Sequence, residues 1–359
     1  VTKLASLSIQ CFRNLSDVAL EFKPRANLFY GVNGSGKTAI LEAVHALALG
    51  RSFRQSNPRN LIQHGHDQFL VRGMVQNESV STPMAVQRDR SGGVQLRYNH
   101  ESQRSFALLA GEMPLIVLDP DSLLLVSGDP EHRRRFLDAT VFHVEHWFVE
   151  TWRRYMRALK QRNAMLRHGI LANDDGWCEE LSVSGELLTV AREKVTADLN
   201  SALRFLLPRL SPSLAGLQVA LRPGWGREDS LREALINGRD AALKLGYTPI
   251  GPQRADLKMT LDNRPAAEVL SRGQLKVAVA AFRLAQGSVI NERSHRQPIF
   301  LVDDVVAELD AFHVQKVLAE LAATEGQVMM TSVDPQALQQ SWPTDFGLFH
   351  VEQGAVTTR

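Results

Sequence analysis

The segment Gly31-Val32-Asn33-Gly34-Ser35-Gly36-Lys37-Thr38 constrains this chain most, because it satisfies G-x-x-x-x-G-K-[ST] where the hydrophobic period changes. Before it, Leu7, Ile9 and Cys11 alternate with Ser8 and Gln10, and Val18, Leu20 and Phe22 alternate with Ala19 and Glu21. These are period-2 strand signals, and a third short strand, Asn27 to Tyr30, runs into Gly31. After it, Ile40, Val44, Leu47 and Ala48 fall at i, i+4, i+7 and i+8, the stripe of a helix that stops at Gly50. Strand, glycine loop and helix N-terminus together make an anion cradle. The glycines let backbone N–H groups turn inward, and the helix end adds partial positive charge. Lys37 is placed for the β- and γ-phosphates and the Thr38 hydroxyl for Mg²⁺. The motif predicts nucleotide binding but does not separate a kinase, a GTPase and a motor.

The rest of the chain predicts an α/β protein. Residues 69 to 118 read as short strands ending in Leu115 to Leu118, and residues 131 to 206 read as mainly helical. From Gly251 strands and helices alternate again: a strand near Leu257 to Leu261, a helix from Ser271, a strand Ile299 to Val302, a helix from about Ala311 and a strand Gln327 to Thr331. The expected organisation is one lobe built from both ends of the chain, residues 1–118 and 251–359, interrupted by a mainly helical lobe at 119–250.

Phe300-Leu301-Val302-Asp303-Asp304 is an apolar strand ending in two carboxylates, the pattern in which the first acid serves Mg²⁺. Lys37, Asp303 and Asp304 are therefore the candidate catalytic residues, and Thr38 and Asp303 the candidate Mg²⁺ ligands. Ser271-Arg272-Gly273-Gln274 opens a helix and, with Leu270, resembles the LSGGQ signature of ABC ATPases, although a serine N-cap is also an ordinary helix start. Ala307-Glu308-Leu309-Asp310 then aligns without gaps to the D-loop that follows the acidic strand in that superfamily.

A closer resemblance is carried by Phe12-Arg13-Asn14, GVNGSGKT, Leu41-Glu42-Ala43, Ser52-Phe53-Arg54, Pro120-Asp121, Gly128-Asp129-Pro130, Arg133-Arg134-Arg135-Phe136-Leu137-Asp138, Gly251-Pro252-Gln253-Arg254-Ala255-Asp256-Leu257, LSRGQLK and DDVVAELD. Spanning residues 7 to 310 in order, these resemble the RecF family of bacterial recombination-mediator ATPases. The resemblance implies an ABC-type, SMC-like P-loop ATPase head with cofactors ATP and Mg²⁺. It implies weak hydrolysis and an ATP-dependent homodimer in which Ser271, Arg272, Gly273 and Gln274 contact the nucleotide of the other subunit. It also implies binding to single-stranded, gapped or duplex DNA, partners RecR and RecO, RecA loading at gaps, and roles at stalled forks and in SOS induction.

Departures from the transporter pattern point to slow, switch-like hydrolysis. Asp304 stands where ABC transport ATPases carry Glu, and Arg272 replaces the first signature glycine. Thr331 and Ser332 occupy the region where a switch histidine would follow, and Gln253 stands where the family usually has His. Gln63 and Gln87 are the candidates for a Q-loop glutamine, and both also read as surface polar residues. An ABC transporter subunit is the alternative, opposed by the missing histidine and the basic helical insertion. A long SMC coiled coil has no room between Lys37 and Ser271 and no sustained heptads. A P-loop kinase would leave the signature unused.

The formal charge of the 359 residues is only +2, and an apolar content of 44% excludes a disordered tail protein. That balance hides two opposed stretches. Residues 131 to 167 hold nine Lys or Arg against four acids, with Trp147, Phe148, Trp152 and Tyr155 interleaved, whereas 299 to 325 hold six acids and one Lys. Cations with aromatics suit a sequence-tolerant DNA surface, although aromatics at helical spacing more often belong to a core. Arg133, Arg134, Arg135, Arg153, Arg154 and Arg157 are the candidate DNA contacts. His143 and His146 lie one helical turn apart without a third ligand nearby, which favours a structural role. No run approaches the roughly 18 apolar residues of a membrane span. The two cysteines, Cys11 and Cys178, are too few for a disulfide framework, as expected of a cytoplasmic protein.

Overall fold

A computed structural model of the chain describes residues 1–55, 57–170, 174–226, 228–304, 309–336, 338, 342 and 346–358. It divides into two compact units. The first is built from both ends of the chain, Val1–Leu123 and Ser271–Arg359, together with Leu206–Pro212, and the second comprises Leu124–Phe205 and Ser213–Leu270. The strands at Leu217–Arg222, Asp256–Leu261 and Arg264–Pro265 pair with one another within the second unit, so the chain stays in that unit until Leu270.

The N-terminal part of the first unit runs β1 (Thr2–Phe12), β2 (Leu15–Glu21), β3 (Ala26–Tyr30), α1 (Lys37–Leu49), β4 (Gln68–Asn77), β5 (Val80–Asp89), β6 (Val94–Tyr98), β7 (Glu101–Gln103), α2 (Phe106–Glu112) and β8 (Leu115–Leu118). The second unit follows with α3 (Leu124–Ser127), α4 (Pro130–Val144), α5 (Phe148–Arg167), α6 (Asp174–Leu210, of which the residues from Leu206 belong to the first unit), β9 (Leu217–Arg222), α7 (Leu231–Asn237), α8 (Arg239–Leu245), β10 (Asp256–Leu261), β11 (Arg264–Pro265) and α9 (Ala266–Val269). The chain returns to the first unit with α10 (Arg272–Ser294), β12 (Ile299–Val302), α11 (Ala311–Ala323), β13 (Val328–Ser332), β14 (Gly347–Glu352) and β15 (Ala355–Thr358).

The first unit holds two six-stranded sheets. One is antiparallel in the order β2-β1-β4-β5-β6-β7. The other, β15-β14-β3-β13-β12-β8, is parallel from β14 to β8 with β15 antiparallel at its edge. Helix α1 packs on strands of both, so Ala39 to Ala48 are all buried rather than only the expected stripe. Its end is set by Gly50, whose left-handed φ of 66° lets its N–H reach the Ala46 carbonyl at 2.8 Å.

Two details of β1 depart from simple alternation. A bulge between Leu4 and Ser6 interrupts its pairing with β4, and the Leu4 N–H and C=O are met by the amide of fully buried Gln327, at 2.8 and 3.0 Å. These bonds tie the antiparallel sheet to the segment entering β13 and satisfy both backbone groups of Leu4 at the bulge. At the other end Cys11 adopts φ 54°, which shifts the alternation so that Phe12 enters the core and Cys11 stays half-buried.

The second unit is helical around the three-stranded sheet β11-β10-β9. Its interior contains Arg162, 1% exposed, bonded to Asp174 at 2.8 Å and to the Thr248 hydroxyl at 3.0 Å; Arg239 reaches the same Asp174 at 2.6 Å. A guanidinium counted among the arm's cations is thus neutralised inside, as burial of a charge requires. Among the described residues no helix is long and apolar enough to cross a membrane.

Candidate functional site

Strand order builds the site. β3 delivers the glycine loop and β12 delivers Asp303, but the two are not neighbours; β13 lies between them, with Ser332 opposite Tyr30 and Met330 opposite Val302. Thr331 therefore arrives level with Asp303. The Thr38 hydroxyl donates to the Asp303 carboxylate at 2.9 Å, and the Thr331 hydroxyl donates to it at 2.7 Å. The backbone N–H of Asp304 donates to the Thr331 hydroxyl at 2.9 Å, while Asp304 itself takes the left-handed φ of 54°, which aspartate tolerates.

The loop is held from outside. Asn14 donates to the Ser35 carbonyl at 3.1 Å, and the Gly354 N–H donates to the same oxygen at 2.8 Å. Gly31 has φ 153°, and a Cβ there would stand 2.1 Å from the Val351 carbonyl oxygen, so only glycine lets β14 pack so closely. The Lys37 ammonium, nearly buried, donates to the carbonyls of Gly31 and Val32 at 2.7 and 2.9 Å. Burial holds its pKa below the usual lysine range, with Asp304 and Asp303 opposing that shift.

Around the loop lies a cleft of about 320 Å³ lined by Asn33, Gly34, Lys37, Thr38, Asp303 and Asp304, and also by Arg13, Asn14, Glu42, Arg54, Gln55 and Thr331. Of this latter group, Arg13, Asn14, Glu42 and Arg54 carry a sequence signal only through the family resemblance, which assigns them no role, and Thr331 only as a residue standing where a switch histidine would follow; Gln55 carries none. Arg13 forks onto Glu42 of α1 at 2.6 and 3.0 Å. Glu42 also accepts from Ser52, whose hydroxyl accepts the Arg54 and Gln55 N–H groups at 2.8 and 3.0 Å. This chain of bonds fixes the Arg54–Gln55 corner against the cleft. Beyond β12, Asp119 follows β8, and burial raises its pKa despite the Ser122 hydroxyl bound to it and nearby Arg283.

The signature residues do not line this cleft. Ser271 caps α10 through a capping box with Gln274, at 3.2 and 3.0 Å, and Ser271, Arg272 and Gly273 are exposed. In the D-loop, Ala307 and Glu308 lie outside the described residues. Leu309 borders a small cavity with Asp303, and Asp310 caps α11, accepting the His313 N–H at 2.9 Å, which lowers its pKa. Gln63 donates to Ser16 and Gln87 to Gln68, and neither borders the cleft.

The six candidate DNA arginines separate by environment. Arg133 binds Asp256 at 2.7 Å and Arg134 binds the Ala255 carbonyl at 2.8 Å, both partly buried against β10. Arg135 pairs with Glu131 and Arg154 with Glu180. Arg153 and Arg157 stay exposed and, with Trp152, Lys160 and Arg167, line an open groove of about 1020 Å³ along α5. Trp152 is 39% exposed, whereas Phe148 and Tyr155 are buried, so the aromatics divide between surface and core. Gln253 serves the interior: it bonds the Tyr155 hydroxyl and donates to the Thr248 and Ile250 carbonyls.

A family model described as RecF/RecN/SMC N terminal domain matches residues 3–357. The DNA replication and repair protein RecF of Stutzerimonas stutzeri (strain A1501) is 42% identical over 359 residues, covering 99% of this chain and 97% of that protein. RecF of Pseudomonas syringae pv. tomato is 41% identical over 359 residues, with 99% and 98% covered. Among solved structures, the recombination mediator protein RecF with ATP in the RecFOR pathway superposes with a TM-score of 0.89 at 24% identity, over 100% of this chain and 98% of that one. An Smc head bound to the C-winged helix domain of ScpA gives 0.58 at 15% identity, over 99% and 96%. The fold is accordingly the mixed α/β head of RecF and SMC proteins with an inserted helical region, as expected. By the match along its whole length and by these relatives, the chain belongs to the RecF family of DNA replication and repair proteins.

Proposed function

We propose that this chain is a cytoplasmic, ATP-gated DNA-binding protein of recombinational repair. It assists RecA loading at single-stranded gaps with RecO and RecR, and takes part in replication restart and SOS induction. The observation that carries the reading is the joining of Thr38 and Thr331 to one Asp303 carboxylate beside the buried Lys37 ammonium. The fit to ATP and Mg²⁺ rests on the donor set. Thr38 and Asp303 offer hard oxygen atoms suited to Mg²⁺, and the Ser35 hydroxyl is buried in the loop with no partner among the described residues.

Lys37 and the loop N–H groups hold the β- and γ-phosphates, Thr38 and Asp303 hold the metal, and Thr331 keeps Asp303 in place. Asp304 is the acid that orients the attacking water. When bound, ATP with Mg²⁺ supplies the phosphate charge that bridges two subunits and the anhydride whose hydrolysis parts them. Ser271 to Gln274, the first three of them exposed and none lining their own cleft, close over the nucleotide of a second copy. The α5 groove with Arg153 and Arg157 meets DNA.

Sedimentation with and without ATP and Mg²⁺ tests the gate: dimer is expected only with both, and one unchanging equilibrium would contradict it. A DNA titration on gapped, single-stranded and duplex substrates, with and without ATP, tests the partner; affinity that ATP leaves unaltered would argue against gating.

A further inference from the structure

The outer face of the antiparallel sheet carries two arginines that the fold leaves uncommitted. Strand register sets Ala19 of β2, Ser8 of β1, Arg72 of β4, Ala85 of β5, Arg97 of β6 and Ser102 of β7 in one row. Val71 and Leu96, their chain neighbours, are buried, so the alternation of strands turns Arg72 and Arg97 away from the core, and both are exposed. They stand above a shallow cleft of about 600 Å³. Among the described residues neither guanidinium has a hydrogen-bond or ion-pair partner. Arg13 and Arg296 of the same unit are by contrast tied to Glu42 and Glu112.

Three properties of this row define what it suits. Arg72 and Arg97 are two strands apart, about 10 Å at normal strand spacing, with only Ala85 between them. An extended anionic backbone can therefore lie on the floor and meet both guanidiniums. The row itself holds no aromatic side chain, so it offers cations for a phosphate backbone rather than a stacking platform for successive bases. The one acid bordering the cleft, Glu21, sits on β2, which confines a polyanion to the β4–β6 side; His100 borders it near β6.

We propose that this sheet face is a second DNA contact of the chain, holding the phosphate backbone through Arg72 and Arg97. The proposal rests on the DNA-binding reading above but on a surface separate from α5. The test is a salt series of DNA titrations on the full chain carrying both Arg72→Ala and Arg97→Ala, beside a variant with Arg153→Ala and Arg157→Ala. Loss of two phosphate contacts makes the slope of log K against log salt shallower by about 2 on duplex DNA, with single strands weakened as well. Because both side chains face outward, melting temperature and ATP binding stay at wild-type values, and Arg72→Lys with Arg97→Lys restores the slope. A wild-type slope in the sheet variant, with loss in the α5 variant, overturns this proposal and leaves the general reading standing. Absence of DNA binding by the wild-type chain overturns both.

Discussion

Thr331 donates its hydroxyl proton to Asp303 at 2.7 Å and accepts the backbone N–H of Asp304 at 2.9 Å. One hydroxyl on the middle strand thus sets both acids of the neighbouring strand. Thr331 is 1% exposed, so water cannot replace it. Thr331→Val keeps the shape and removes both bonds, which is expected to cost about 1–3 kcal/mol of stability and to weaken ATP binding in the presence of Mg²⁺. Denaturant unfolding and nucleotide titration check this; a variant with wild-type values would show that Asp303 needs no such support.

His45 on α1 gives the stability an acid limit. Burial holds its pKa down at about 4 against an ordinary 6.5, although the bond to the Arg51 carbonyl opposes the shift. Between those values the unfolded chain takes up a proton that the folded chain refuses. Stability therefore falls as pH drops from 6.5 towards 4, by roughly 3 kcal/mol in all. Replacing it by His45→Asn should remove this component, seen as a smaller difference between unfolding curves at pH 7 and pH 4.5. An unchanged difference would place the acid sensitivity elsewhere.

Within the candidate arm, the arginines are not expected to act equally. Arg154 is already paired with Glu180 on α6, whereas Arg153 and Arg157 border the open α5 groove. Joint Arg153→Ala and Arg157→Ala should lower DNA affinity and reduce the salt slope by about 2, while Arg154→Ala changes it less. Equal effects of all three would mean that the Glu180 pair opens when DNA binds.

Ser271 serves its own helix and, in the proposed dimer, a second copy. Ser271→Ala removes the cap of α10 at a cost of about 1 kcal/mol. Ser271→Asp retains a capping oxygen but adds a negative charge where phosphate is to be met. Both should fold; the aspartate variant should lose ATP-dependent dimerisation in sedimentation more completely. Dimerisation of Ser271→Asp at the wild-type level would remove this residue from the interface.

Much of the head was legible because its signals are local. The glycine loop, the helix to Gly50 and the acid-tipped strand each lie within a dozen or so residues, where period and turn chemistry are read directly. Thr331 carries no local signal beyond standing where a switch histidine would follow. Its role needed the insertion of β13 between β3 and β12, a pairing across hundreds of residues that no local pattern encodes. Arg13, Glu42 and Ser52 fall outside any periodicity for the same reason. In the arm, net charge made Arg162 and Arg133 look like Arg157, since charge counts do not distinguish a paired interior cation from a solvated one.

The sequence alone determined that this is an α/β chain of the RecF type, with a glycine-rich loop at Gly31–Thr38 between a strand and a helix, an acidic strand end at Asp303 and a capped helix start at Ser271. These are properties of short segments whose residue types dictate backbone conformation. Tertiary structure decided which groups converge on Asp303, which arginines are spent on Asp256, Glu180 and Asp174, and which, like Arg72 and Arg97, remain available. Those outcomes depend on strand order and register, because a one-residue change of register would exchange the core and solvent faces of a strand.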